Sequence, residues 1–199
     1  MNRTLALLLC SAPLIASAQV IFNPQAGIAL TTLQPEQEGV QDKSDVGVLA
    51  GADLRIGHRF YFQPGAFFVS SKTAVSVGDS LVTEDHLVWN SLKLKALAGY
   101  NLLDGQNFRL RLNAGPSFNW LLSATGKDDN IKIEMGDFHA GTFNLDAGVG
   151  ADIWIVSIGS GISYGLSKAY KEQDGLSNDS KFFSYYMTVG MVLGGSSAK

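Results

Sequence analysis

The run Asn107-Phe-Arg-Leu-Arg-Leu-Asn-Ala-Gly-Pro-Ser-Phe-Asn-Trp-Leu-Leu-Ser123 alternates almost without a break. Phe108, Leu110, Leu112, Ala114, Phe118, Trp120 and Leu122 share one parity. Asn107, Arg109, Arg111, Asn113, Ser117, Asn119 and Ser123 share the other. Successive side chains of a strand point to opposite faces, so the segment carries one apolar face and one face rich in arginine and asparagine. A face this charged does not line a dry core, and an apolar face this long does not sit in water. A globular strand usually runs about 5–6 residues, whereas a tilted strand crossing a bilayer needs roughly 9–11. Lipid outside and a polar lumen inside satisfy both faces at once, as in an outer-membrane β-barrel.

The same pattern recurs along the chain and predicts eight strands. The first, Phe22–Thr32, turns Phe22, Ala26, Ile28 and Leu30 outward against Gly27, Ala29 and Thr31. The second, Asp45–Ile56, sets Val46, Val48, Ala50, Ala52, Leu54 and Ile56 against Gly47, Gly51, Asp53 and Arg55. In the third, Phe60–Val75, Phe60, Phe62, Ala66 and Phe68 oppose Tyr61, Gln63 and Gly65, and the parity blurs after Phe67. The fourth, His86–Leu102, places Leu92, Leu94, Ala96, Ala98 and Tyr100 outward and Lys93, Lys95 and Gly99 inward. Asn107–Ser123 is the fifth. In the sixth, Thr142–Ile153, Asn144, Asp146, Gly148, Gly150 and Asp152 face in. The seventh, Ile155–Leu166, and the eighth, Lys181–Leu193, repeat the alternation. No segment of similar length shows a helical period of 3.6 residues.

Connector lengths carry independent information. Long polar connectors at Leu33–Ser44, Ser76–Asp85, Ala124–Gly141 and Ser167–Ser180 alternate with short ones at Gly57–Arg59, Leu103–Gln106 and Asp152–Trp154. Outer-membrane barrels have this arrangement, with longer extracellular loops and short periplasmic turns. The predicted fold is therefore all-β, an antiparallel up-and-down transmembrane barrel of eight strands. Asp104-Gly105 suits a tight hairpin with positive φ angles. Pro24, Pro64 and Pro116 fall on the outward parity inside strands, where proline has no N–H for the ladder, so bulges or strand ends are expected there. Phe60, Phe62, Tyr100, Phe108 and Trp154 gather at the short-turn ends. Trp89, Phe118, Trp120, Phe143, Phe183 and Tyr185 gather toward the long loops. Two interfacial belts have this form.

Met1–Ala18 reads as a cleaved secretory leader: Arg3, an apolar Leu5–Leu9, and Ala16-Ser17-Ala18 before Gln19. Cys10 follows Leu9 rather than the small residue that precedes a lipidated cysteine, so lipidation is not expected. Residues 19–194 form the expected barrel domain, with a short tail at 195–199. Cys10 is the single cysteine, which excludes a disulfide-stapled mature domain and a cysteine metal site. Loss of Arg3 leaves 14 basic residues (15 less one) against 18 acidic ones, the wrong balance for a nucleic-acid binder.

The inward charges Asp53, Arg55, Lys93, Lys95, Arg109, Arg111, Asp146 and Asp152 are the candidate site. An eight-stranded barrel is only wide enough to be filled by its own side chains. Unpaired charges in such an interior are expensive, so these residues are expected to pair as a structural network that plugs the lumen. A conducting path for ions or small solutes is the alternative. No catalytic residue, cofactor or metal is expected. His58, His86 and His139, with Ser91, Asp85, Asp137 or Glu134, suggest a surface hydrolase or acyltransferase only by proximity in sequence, which says nothing of hydrogen-bond geometry. Lys127–Asn130 and Lys171–Asp174 lack the ligand spacing of a calcium loop and read as hydrated loops. A soluble lipocalin-like barrel would reverse the faces, placing the apolar residues inside.

The stretches Arg59-Phe-Tyr-Phe-Gln-Pro-Gly65, Leu97-Ala-Gly-Tyr100, Phe108–Phe118, Gly148-Val-Gly-Ala-Asp152 and Ser163-Tyr-Gly-Leu-Ser167 resemble the PorT-like outer-membrane β-barrel family of Bacteroidetes, as does the A-x-A-Gln end of the leader. The likeness spans almost the whole chain after residue 18. It implies a barrel of this size in the outer membrane of a Gram-negative cell and a link to protein export or surface assembly. Outer-membrane lipid, the barrel-assembly machinery and a surface or periplasmic protein would be the partners. It carries over no catalytic residue. Gly65, where relatives often carry a carboxylate, and a last strand ending near Leu193 without a terminal aromatic depart from the pattern.

Overall fold

The computed structural model describes residues 19–34, 45–76, 84–126, 141–167 and 181–194. The leader, the tail and most of each long connector lie outside the described residues. Eight antiparallel strands follow one another: β1 (Val20–Gln34), β2 (Asp45–Gly57), β3 (Phe60–Ser76), β4 (Glu84–Asp104), β5 (Phe108–Gly126), β6 (Gly141–Ile153), β7 (Val156–Gly165) and β8 (Lys181–Met191). A two-residue β9 (Leu193–Gly194) continues β8 beyond Val192. Each strand pairs with the next, and β1 pairs both with β2 and with β8, so the sheet closes.

Register fixes the geometry of closure. Paired positions lead from Val20 through Ile56, Phe62, Ala98, Ala114, Ala147, Ile162 and Tyr185 to Leu30, ten residues beyond the start (30 less 20). With about 3.3 Å per residue and 4.8 Å between strands, that stagger tilts the strands by roughly 40° and sets a backbone diameter on the order of 16 Å. β4 has 21 residues and β5 has 19. At that tilt β4 rises roughly 50 Å, well beyond a hydrocarbon core of about 30 Å, so the β3–β5 hairpins project past any bilayer toward the long connectors.

The two faces have the polarity that the alternation predicts. Outward positions such as Val48 (60% exposed), Val149 (51%) and Val189 (59%) are uncovered, whereas Arg111 and Asp53 retain 2% and Asp146 none. Apolar outside and ionic inside is the reverse of a soluble lipocalin-like barrel. The interior also holds apolar side chains: Leu49, Phe67 and Leu97 are buried on the inward parity. An inward phenylalanine is why the third strand's pattern blurs at Phe67.

The prolines do not produce bulges. The β2–β3 ladder passes from Asp53↔Gly65 to Ile56↔Phe62, skipping Pro64 without changing register. The β4–β5 ladder likewise passes Pro116, from Lys95↔Ser117 to Ala98↔Ala114. Around Pro24 the pairing of β1 resumes between Gln25↔Gly190 and Phe22↔Leu193. A missing donor thus opens the ladder locally while the neighbouring pairs hold the alignment. The register shifts lie elsewhere, between Asn90 and Ser91 and between Asn101 and Leu103.

Nor does Asp104-Gly105 form the expected tight turn. Gly105 has no positive φ, its N–H donates to the Phe108 carbonyl at 2.8 Å, and the Asp104 carboxylate is taken by Arg109. Among the described residues positive φ falls instead on Gly57, Gly194 and Trp154 (φ 57°). Trp154 and Ile155 join β6 to β7 beneath the Ile153↔Val156 pair, and the Trp154 ring is 75% exposed at the short-turn rim. A bulky residue in this region costs about 1–3 kcal/mol. Trp154→Gly and Trp154→Ala both lose the ring, but only glycine relaxes here. Trp154→Gly should therefore exceed Trp154→Ala in stability by about 1 kcal/mol in denaturant titrations of the micelle-bound protein. Equal stabilities would mean that the turn is unstrained.

Candidate functional site

Strand tilt brings inward residues from distant strands together across the lumen, and they form two ionic groups. Toward the short turns, Asp152 on β6 lies between Arg55 on β2 and Arg111 on β5. Arg55 Nη1 donates to Asp152 Oδ2 at 2.5 Å, and Arg111 Nη1 donates to Oδ1. Both guanidiniums also donate to Ser157 Oγ, at 3.3 and 2.9 Å. Ser157 is the ladder partner of Asp152 on β7, so carboxylate and hydroxyl present side by side. Gly150 makes room: a Cβ there would run into the Arg111 guanidinium.

The Asp53 carboxylate next to this group accepts from Gln63 Nε2 at 2.7 Å and from Gln25 Nε2, and lies 3.8 Å from Arg55 Nε. Asn23 joins the two polar groups to the backbone. Oriented to satisfy both its ends, its amide nitrogen donates to the Met191 carbonyl at 2.9 Å, and its oxygen accepts from Gln25 (2.8 Å) and Arg55 (2.9 Å). The register places Met191 opposite Pro24, so an asparagine side chain supplies the donor that proline lacks.

The second group is centred on Asp146 of β6. Lys93 Nζ lies 2.9 Å from Asp146 Oδ2, while Ser117 and Ser163 donate to Oδ1 at 2.8 and 2.6 Å. Lys93 also donates to Ser163 at 3.0 Å. A carboxylate receiving three such bonds from three strands ties the barrel wall across its width. Aromatic side chains fill the remaining space. Tyr61 lies flat over Gly99, where any Cβ would collide with its ring, and its hydroxyl donates to the Leu112 carbonyl at 3.2 Å.

Two of the eight predicted site residues stand apart. Arg109 pairs with Asp104 at 2.8 Å at the partly exposed short-turn rim, where His58 also lies 3.8 Å from Asp104. Among the described residues Lys95 has no carboxylate within ion-pair distance; its ammonium sits 3.9 Å from the Phe67 ring centroid and 5.4 Å from that of Tyr186. Cation–π contacts of this kind contribute about 2 kcal/mol when desolvated, against several kcal/mol to remove an ion from water.

The inward parity of Gln63 and Ser117 marks them as lumen residues in the sequence, but nothing there identifies their partners. Asn23 and Gln25 carry the same signal, being on the parity of Gly27 and Ala29. Of the residues that suggest a triad, His139, Asp137 and Glu134 lie outside the described residues, as do the side chains of Asp85 and His86. The two loop clusters at 127–130 and 171–174 lie outside them too. Among the described residues no group of three or more His, Cys, Asp or Glu converges to hold a metal ion.

The two arginines give Asp152 a measurable weight. Asp152→Ala would strand both guanidiniums in the interior and should cost about 3–5 kcal/mol. Arg109→Ala, at the partly exposed rim, should cost less than about 1 kcal/mol. Denaturant midpoints of the folded form, read from its gel migration without heating, would check the difference; similar losses would contradict the assigned geometry.

No protein-family model matches this chain, and neither does any curated protein. Solved structures do. Neisserial surface protein A (NspA) aligns over 85% of this chain and 96% of its own, at 16% identity and a TM-score of 0.50. Ail, the attachment invasion locus protein of Yersinia pestis, aligns over 88% and 99%, at 10% identity and 0.48. The outer membrane protein OprG from Pseudomonas aeruginosa aligns over 89% and 97%, at 12% identity and 0.46. At these identities the likeness is one of fold alone, and what NspA shares with this chain is a small closed antiparallel β-barrel.

Proposed function

We propose that this chain is an integral outer-membrane barrel with a structural or interaction role, its lumen closed by its own charged side chains and its long loops offered to a partner. The observation that carries the reading is the polarity of the wall. Phe108 and Leu112 are more than 40% exposed on one face of β5, while Arg111 between them is buried on the other. An apolar surface around a whole barrel is not tolerated in water. In a bilayer it suits a closed sheet, whose strands pair their backbone polar groups with one another and leave no free edge. The leader-like Met1–Ala18 supports export to that membrane, and Trp154, Phe60 and Trp120 are exposed at the two rims as interfacial anchors would be.

The resemblance to PorT-like barrels supports a further step, a role in protein export or in assembly at the cell surface. On this reading the chain passes through the barrel-assembly machinery, contacts outer-membrane lipid, and meets a protein at the surface or in the periplasm; nucleic acid is not a partner. The proposal includes no catalysis. The Asp146 and Asp152 carboxylates are occupied by cations and hydroxyls, and neither has a histidine beside it among the described residues.

Planar-bilayer recordings test the closed lumen. The protein is expected to give no sustained unitary steps, because both ionic groups span the passage. Steady, ion-selective openings would replace this reading with that of a narrow pore. His86→Ala and His139→Ala should leave folding and surface exposure unchanged, and loss of a surface acyl- or ester-transfer activity in either would contradict the non-catalytic reading.

A further inference from the structure

Among the described residues that line the lumen interior, four cations (Arg55, Lys93, Lys95, Arg111) face three carboxylates (Asp53, Asp146, Asp152), one positive charge in excess. Asp152 and Asp53 are taken up by the two arginines, and Asp146 by Lys93 and two serines. The excess therefore resides on Lys95. Lys95 is half-buried, and its two ring contacts recover only part of the cost of drawing its ammonium out of water.

A half-open cavity of about 40 Å³ lies directly against it on the long-loop side of the Asp146 group; its wall is mostly apolar, with Leu49, Phe67, Val69 and the Tyr186 ring, and Lys93, Lys95 and Ser184 are its polar members. A water molecule needs roughly 10–15 Å³ of such space, so the cavity has room for a small ion together with a water or two. Ser184 Oγ is 2.8 Å from Thr31 Oγ1. With Thr31 as the donor in that bond, the Ser184 hydrogen is available to an occupant.

We propose that this cavity binds a small monovalent anion of the halide class. Lys95 supplies its main counter-charge, Lys93 adds to the field, and Ser184 donates a hydrogen bond. The anion offsets the one excess positive charge of the described lumen residues and fills space between the Asp146 group and the Phe67–Tyr186 layer. The cavity's mostly apolar wall favours a weakly hydrated halide over strongly hydrated oxyanions, whose lost hydration it does not replace.

The test uses the full folded protein in detergent. Sodium bromide or chloride is titrated against sodium gluconate at equal ionic strength, and the thermal midpoint is followed by heat-dependent gel migration. The halides should raise the midpoint saturably, by roughly 3 °C at ten times the dissociation constant, beyond the gluconate control. Lys95→Met, which keeps the length of the chain without its charge, should lose the halide-specific increment, whereas Arg109→Gln at the rim should retain it. A wild-type midpoint that follows ionic strength alone, or an increment that survives Lys95→Met, would overturn the proposal. Should Lys95→Met fail to fold, crystals of the wild type soaked in bromide decide: an anomalous peak within hydrogen-bonding distance of Lys95 Nζ supports the site, and none at saturating bromide overturns it.

Discussion

Pairing of β1 with β8 across a stagger of ten residues is the constraint on which the rest of this molecule depends. Closure removes every free edge, so the backbone is satisfied within the wall and the exterior is free to be apolar. The same closure fixes a narrow bore. A bore this narrow makes unpaired charge costly, so the inward arginines and aspartates and Lys93 find polar or charged partners on other strands, and Lys95 meets aromatic rings instead. The tilt that accompanies the stagger then decides which partners meet. It brings β2, β5 and β6 together at Asp152 and β4, β5, β6 and β7 together at Asp146.

Small residues make this dense filling work. Gly99 lets the Tyr61 ring lie against β4, Gly150 accepts the Arg111 guanidinium, and Gly161 admits the Tyr186 hydroxyl. At each place the large side chain belongs to the glycine's own ladder partner on an adjacent strand, Tyr61↔Gly99, Arg111↔Gly150 and Tyr186↔Gly161. Beside the Asp146 group, Lys95 meets the Phe67 ring, and there the charges of the described lumen residues fail to balance.

Much of the architecture was legible in the sequence, because a closed barrel with two solvents imposes a period-two pattern that local packing does not override. Phe108 to Leu122 revealed both faces, and the alternation of short and long connectors gave the strand count. Less legible was whatever depends on the stagger. Asp146 reads as an inward carboxylate, but that Lys93, Ser117 and Ser163 would be its partners follows only once the register around the whole barrel is known. Lys95 reads like Lys93, two residues away on the same face, and yet meets rings rather than a carboxylate. Local backbone solutions were also hidden. The ladder opens past each proline, where bulges or strand ends were expected; β8 does end opposite Pro24, but flanking pairs on both sides hold the alignment and no bulge forms. The turn with positive φ uses Trp154 rather than Asp104-Gly105, whose carboxylate is drawn to Arg109. Roles for the long loops depend on residues outside the described structure and on partners that a fold does not specify.

The central claim is that apolar side chains meet acyl chains while ionic ones meet across the bore. Because Cys10 is the sole cysteine and lies in the leader-like segment, single substitutions give unique labelling sites in the remainder of the chain. Fluorophores attached at Leu112→Cys and Val149→Cys, compared with Asn113→Cys and Ser163→Cys in vesicles of brominated lipid, read orientation directly. The account predicts strong quenching by bromine at the first pair and little at the second; quenching of the second pair with the first left bright and water-accessible would contradict it.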